Sequence, residues 1–199
     1  MITLSADPYA KKARASGFRS RAAYKLFEIN DKFVIFKKGQ QIIDLGASPG
    51  GWSQVASRKI GSNGLVIAID KAYIQEFKEK NIVIEFQDIF KKDLDTFLLE
   101  NYGKSDVLIS DCAPNISGNY DQDHSIQSML AQRAFELSQC VLYMGGSFVC
   151  KIFQGSETQE FVKSVKERFR TVKLFKPKSS RKQSSEIYLI ARDFISDSE

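Results

Sequence analysis

Short, nearly continuous apolar runs alternate along the chain with longer stretches whose apolar residues recur every three or four positions. Five runs, at residues 41–45, 65–70, 82–86, 107–111 and 147–151, are compact and rich in Ile, Val and Leu. Such runs need cover on both faces, as strands inside a parallel sheet do. Two more, at 172–175 and 186–191, follow near the end. Helical spacing occurs over 21–29. It recurs over 125–143, where Met129, Ala134, Leu137 and Val141 form a stripe ahead of Gly145-Gly146. A third stretch, 157–169, places Phe161, Val165 and Phe169 four apart. Strands separated by helices imply right-handed crossovers and a doubly wound α/β sheet with helices on both faces. No helical pattern separates the last two runs, so they are predicted to pair as an antiparallel hairpin. The reading is one α/β domain over residues 1–199, a mostly parallel seven-stranded sheet closed by that hairpin.

Composition adds exclusions. With 43% hydrophobic and 27% charged residues in 199, the balance is globular and wholesale disorder is excluded. Cys112, Cys140 and Cys150 show no C-x-x-C spacing, so neither a disulfide framework nor structural zinc is expected. No apolar run reaches membrane-spanning length and residues 1–10 lack a signal-peptide pattern, so a soluble, cytoplasmic protein without bound metal is expected. The net charge of +5 is unevenly spread. Residues 1–25 carry Lys11, Lys12, Arg14, Arg19, Arg21 and Lys25 against Asp7 alone, and residues 163–182 are similarly basic, with Lys176, Lys178, Arg181 and Lys182 at their end. The middle is acidic, as is a tail at 193–199. Brought together, the two basic segments would make one positive face fit for a polyanion; scattered, they would merely solvate helices and loops.

Ligands of doubly wound sheets bind beyond the carboxyl ends of the strands. There the first strand enters Asp44-Leu-Gly-Ala-Ser-Pro-Gly-Gly-Trp-Ser53. Gly46 and Gly51 have the P-loop gap, but Trp52 stands where the phosphate-binding lysine belongs. A dinucleotide fingerprint would need glycine at position 48, which is Ser48. A nucleoside without a pyrophosphate remains. Asp70 closes the next strand, where a carboxylate can accept from ribose hydroxyls, and Asp88 follows the third, within reach of an adenine amino group. S-adenosylmethionine fits, its sulfonium favoured by carboxylates. Each aspartate taken singly could equally cap a helix or a turn.

Asp111 ends the fourth strand, Lys151 the fifth within Phe148-Val-Cys-Lys-Ile-Phe153, and Glu186 opens the last; Lys25 lies on the N-terminal helix. A lysine in so apolar a run needs a partner. Two buried ion pairs would account for these four residues without catalysis. The surrounding stretches are more specific. Gly17-Phe-Arg-Ser-Arg-Ala-Ala-Tyr-Lys-Leu26, the glycine turn through Gln54, Ser110-Asp-Cys-Ala-Pro-Asn115, Gly145 to Gly155 and Ser179-Ser-Arg-Lys-Gln-Ser-Ser-Glu-Ile-Tyr188 together resemble the FtsJ/RrmJ family of S-adenosylmethionine-dependent ribose 2′-O-methyltransferases.

The resemblance implies a Rossmann-like methyltransferase fold and methylation of a uridine in large-subunit (23S) ribosomal RNA by a monomer, with a Lys25, Asp111, Lys151, Glu186 tetrad in which Lys151 is the general base. It implies cofactor contacts at Gly50, Trp52, Asp70, Asp88 and Asp111; Asp44, Gly46, Ser48, Pro49 and Gly51 of the same turn join them as candidates. Lys11, Lys12, Arg14, Arg19, Arg21, Lys176, Lys178, Arg181 and Lys182 become candidate RNA-phosphate contacts. The same chemistry on tRNA or an mRNA cap, or a non-catalytic ribosome-assembly role, are the alternatives. His124, the only histidine, is expected at the surface or in a cap, and Tyr24 in packing.

Overall fold

The computed structural model describes residues 7–115, 117–181 and 183–195. It begins with helices α1 (Pro8–Ala15) and α2 (Ala22–Phe33), strand β1 (Gln41–Leu45), helix α3 (Gly51–Ile60) and strands β2 (Leu65–Asp70) and β3 (Ile82–Phe86). Helix α4 (Leu94–Tyr102), strand β4 (Ser105–Ser110), helix α5 (Tyr120–Val141) and strand β5 (Leu142–Phe153) follow. Helix α6 (Thr158–Lys166) and strands β6 (Phe169–Phe175) and β7 (Glu186–Phe194) complete it. All seven strands share one sheet, in the order β3-β2-β1-β4-β5-β7-β6. Strands β1 to β5 are parallel, and β7 is antiparallel to both its neighbours, β5 and β6. The expected hairpin is present, but its second strand lies inside the first.

Successive strand residues point to opposite faces, so each apolar run serves two cores. Ile42, Val66, Val107, Val149 and Tyr188 pack with Leu26 and Ile29 of α2 and Trp52 and Val55 of α3. Ile43, Ile67, Leu108, Phe148 and Cys150 face the other way, onto Leu98 of α4, Leu137 of α5 and Val165 of α6. The strand order reverses direction between β1 and β4, where Leu45 lies in register with Ser110. That switch point sets the glycine turn beside the Asp111 loop.

Several boundaries differ from the sequence reading. Helix α5 begins at Tyr120 rather than Ser125, because Asn119 caps it by accepting from the Gln122 amide at 3.2 Å. Asp121 and Asp123 suit that first turn without contributing to an apolar stripe. The helix ends at Val141, and β5 starts at once, five residues before the apolar run that announces it. Phe169 is not helical: α6 stops at Lys166, and Phe169 opens β6, buried all the same. Strand β7 runs to Phe194, so the first residues of the expected acidic tail belong to the sheet.

Candidate active site

The turn after β1 needs glycine at two points. Gly46 has φ +73°, and a Cβ there would lie 2.9 Å from the Cys112 backbone. Gly50 has φ +114°, and a Cβ would strike the Phe77 ring at 2.6 Å. Without side chains at these points the turn closes over the end of β4 and under the loop that follows Asp70. A cavity of about 490 Å³ opens there. Of the residues expected at a cofactor, Gly46, Ser48, Asp70, Asp88 and Asp111 line it. Backbone amides hold two of the carboxylates in place. Asp70 accepts from Ser48 at 2.9 Å and Ala72 at 2.8 Å, and Asp88 accepts from Phe90 at 3.0 Å. The Phe90 amide is the main reason the Asp88 carboxyl lies below the usual carboxylate range.

Asp44, Pro49, Gly50, Gly51 and Trp52 lie outside that lining. Asp44 is wholly buried beneath the turn and accepts from the Ser53 hydroxyl at 2.6 Å. Burial, opposed by that hydrogen bond, pushes its carboxyl up to about 8. Trp52 is buried too, donating its indole N–H to the Ala22 carbonyl at 2.9 Å and packing on Tyr188. Sequence reasoning did not single out Gln87, Ile89, Ile126 and Leu130, which also line the cavity. They carry no motif of their own, and only the α5 register brings Ile126 and Leu130 there.

The four tetrad candidates meet as two linked ion pairs. Lys151 Nζ lies 3.3 Å from Asp111 Oδ1 and donates to the Asp111 carbonyl at 2.8 Å, with its side chain only 5% exposed. Lys25 Nζ reaches both Glu186 oxygens, at 2.7 and 2.8 Å. Tyr188, fully buried, joins the pairs: its hydroxyl donates to Asp111 Oδ1 at 2.8 Å, and Lys25 Nζ lies 5.7 Å from its ring centroid. Register explains the gathering, because Lys151 of β5 stands opposite Tyr188 of β7, two residues from Glu186. Burial, then the negative charges of Asp111 and Glu186, raise the Tyr188 hydroxyl well above its ordinary range, so it remains a donor. The sequence signals Tyr188 only through its alternation with Glu186 on one strand.

The basic segments converge on this place. Arg21 pairs with Asp7 and donates to the Ser179 carbonyl, while Glu28 accepts from the Lys178 and Ser179 amides. Arg21, Lys25, Arg181, Ser184 and Glu186 line a second cavity of about 250 Å³. Lys11, Lys12, Arg14, Lys176, Lys178 and Arg181 are exposed, whereas Lys182 lies outside the described residues. Arg19 is engaged internally. Its guanidinium donates to the Pro49 and Gln75 carbonyls at 3.2 and 2.6 Å and stacks 3.9 Å from the Phe77 ring centroid. Among the described residues, no group of three His, Cys, Asp or Glu side chains could hold a metal, and no helix is long and apolar enough to cross a membrane.

The sheet order, the glycine turn at the switch point and the antiparallel β7 define a Rossmann-like fold of the S-adenosylmethionine-dependent methyltransferase class. The profile of FtsJ-like methyltransferases matches residues 18–194, and the chain belongs to that family. It is 46% identical over 193 residues to the ribosomal RNA large subunit methyltransferase E of Rickettsia felis, covering 93% of this chain and 83% of that one. A Plasmodium falciparum structure described as a ribosomal RNA methyltransferase superposes with a TM-score of 0.78 at 30% identity, over 90% of this chain and all of that one. The shape is also similar to that of Aeropyrum pernix fibrillarin, solved with S-adenosyl-L-methionine natively bound: TM-score 0.59 at 16% identity, over 85% of this chain and 75% of that one.

Proposed function

We propose that this protein transfers a methyl group from S-adenosyl-L-methionine to the ribose 2′-hydroxyl of a uridine in large-subunit (23S) ribosomal RNA. One observation carries the reading. Asp111 lines the larger cavity and also pairs with the nearly solvent-free Lys151, while Lys25 and Glu186 line the arginine-flanked cavity. Family membership supports the reaction class, and the names of the relatives support the RNA.

The larger cavity suits the cofactor. Each Asp70 oxygen already accepts one amide and keeps a second acceptor site for a ribose hydroxyl. Asp70, Asp88 and Asp111 together supply negative charge for a sulfonium. When bound, the cofactor supplies an electrophilic methyl carbon. The chain must then hold a sugar oxygen in line with that carbon and take up its proton. Lys151, in its amine form, accepts the 2′-hydroxyl proton. Asp111 and the strand register hold its Nζ in place, and Lys25 with Glu186 orient the incoming ribose. Arg21 and Arg181 flank the entry, and Lys11, Lys12, Arg14, Lys176 and Lys178 neutralise phosphates further out.

The test incubates labelled S-adenosyl-L-methionine with large ribosomal subunits from a strain lacking the protein. Label in an alkali-resistant linkage at one uridine is expected; label on a base, or none, overturns the reading. Lys151→Ala is expected to abolish transfer with cofactor affinity unchanged in calorimetry.

A further inference from the structure

A third cavity, of about 260 Å³, lies on another side of α5, where His124, Gln127, Ser128 and Ala131 recur at helical spacing while Ile126 and Leu130 turn to the cofactor cavity. It adjoins the tetrad. Gln127 donates to the Lys151 carbonyl at 2.9 Å, Phe153 follows Lys151 by two residues, and His124 Nε2 lies 3.5 Å from the hydroxyl of Ser185, the neighbour of Glu186.

Its chemistry is unlike that of the basic face. Gln127, 2% exposed, donates its amide nitrogen to the Lys151 carbonyl and so fixes this face of α5 beside the tetrad. The rim is aromatic: the Tyr120 and His124 rings lie 4.0 Å apart at 31°, Phe153 backs His124 at 5.1 Å, and Tyr120 is 63% exposed. Asp121 and Glu157 also line the cavity, and its described lining contains no Lys or Arg. Carboxylates without cations repel a phosphate, whereas acceptors beside an open ring suit a flat heterocycle with N–H groups on its edge. The volume falls below the roughly 300–1,000 Å³ of pockets for drug-sized ligands, as a single ring system requires.

We propose that this cavity receives a nucleobase of the RNA substrate, its ring face on Tyr120 and an N–H of its edge towards the carboxylates of Asp121 and Glu157. The proposal rests on the RNA reading above and extends it, giving the protein a contact with a base where the tetrad needs only the sugar.

Binding and methyl transfer with unmethylated large subunits test it, comparing wild type, Tyr120→Ala and Tyr120→Phe. Because Tyr120 is exposed, both variants should fold. For Tyr120→Ala, Kd and KM for the subunits are expected to rise about tenfold, the scale of a lost stacking side chain, with kcat and the KM for S-adenosyl-L-methionine unchanged. Tyr120→Phe, which keeps the ring, should match wild type. Ultraviolet cross-linking of the wild-type complex should join an RNA base to Tyr120, His124 or Phe153. A Tyr120→Ala variant that binds and methylates like wild type overturns the base pocket and leaves the methyl-transfer reading intact. Wild type that binds subunits without methylating them overturns that reading, and the binding comparison still decides the pocket. No binding by wild type sinks both.

Discussion

At Tyr188 one phenol serves two ion pairs: its hydroxyl anchors Asp111, and its ring packs near both Lys25 and Trp52. Tyr188→Phe keeps the packing and removes the donor. Stability is expected to fall by about 1–2 kcal/mol, the worth of one hydrogen bond to a carboxylate that Lys151 still pairs. In the methyl-transfer assay kcat should drop while the KM for the cofactor moves little; an unchanged kcat would exclude Tyr188 as a positioning residue. Asp44 predicts a pH dependence. Its folded-state carboxyl binds a proton more tightly than the unfolded one, so this contribution is complete below the ordinary carboxylate range and is lost as pH climbs from about 4 towards 8. The slope is at most about 1.4 kcal/mol per pH unit. Asp44→Asn should flatten it and be more stable than wild type at pH 8 in urea denaturation. Residue types at strand ends were readable beforehand: Asp70, Asp88 and Asp111 do reach one cavity. Which members of the glycine turn face that cavity was not, because depth beneath a turn depends on what packs from other elements.

For the elements, apolar runs located every strand: the inner parallel strands leave a continuous signal because both faces are buried, while the edge strands β3 and β6 are apolar though only partly buried. Ends governed by single polar contacts escaped it, as at Asn119, and so did Phe169, whose spacing suited a helix although its burial comes from β6. Gly46→Ala should be destabilising by roughly 2 kcal/mol or more, because a Cβ meets Cys112 backbone at positive φ. Cofactor affinity should fall with it; thermal melts and calorimetry check both. Arg19, expected at RNA phosphates, has its guanidinium engaged by carbonyls of its own chain. Its carbonyl contacts tie the turn to the segment after β2, so Arg19→Ala should weaken cofactor binding more than RNA binding. The opposite ranking would return Arg19 to the phosphate-contacting set.

Across the whole molecule, charge at both ends of the described chain collects around Lys25 and Glu186. Rising salt should therefore weaken RNA binding steeply and cofactor binding slightly. Arg181→Glu should do the same at constant salt, measured by filter binding beside calorimetry. The clustering of charge was visible in the sequence, but its joining required the 161-residue separation between Lys25 and Glu186 to be closed, which no local pattern reports. The position of β7 between β5 and β6 has a consequence for synthesis. As the chain leaves the ribosome, β6 emerges before β7, the strand it pairs with, and Lys25 waits for its carboxylate until β7 appears. A nascent polypeptide stalled before β7 carries an unmated sheet edge and an incomplete tetrad, so the chain becomes competent only when that late strand slides into its slot.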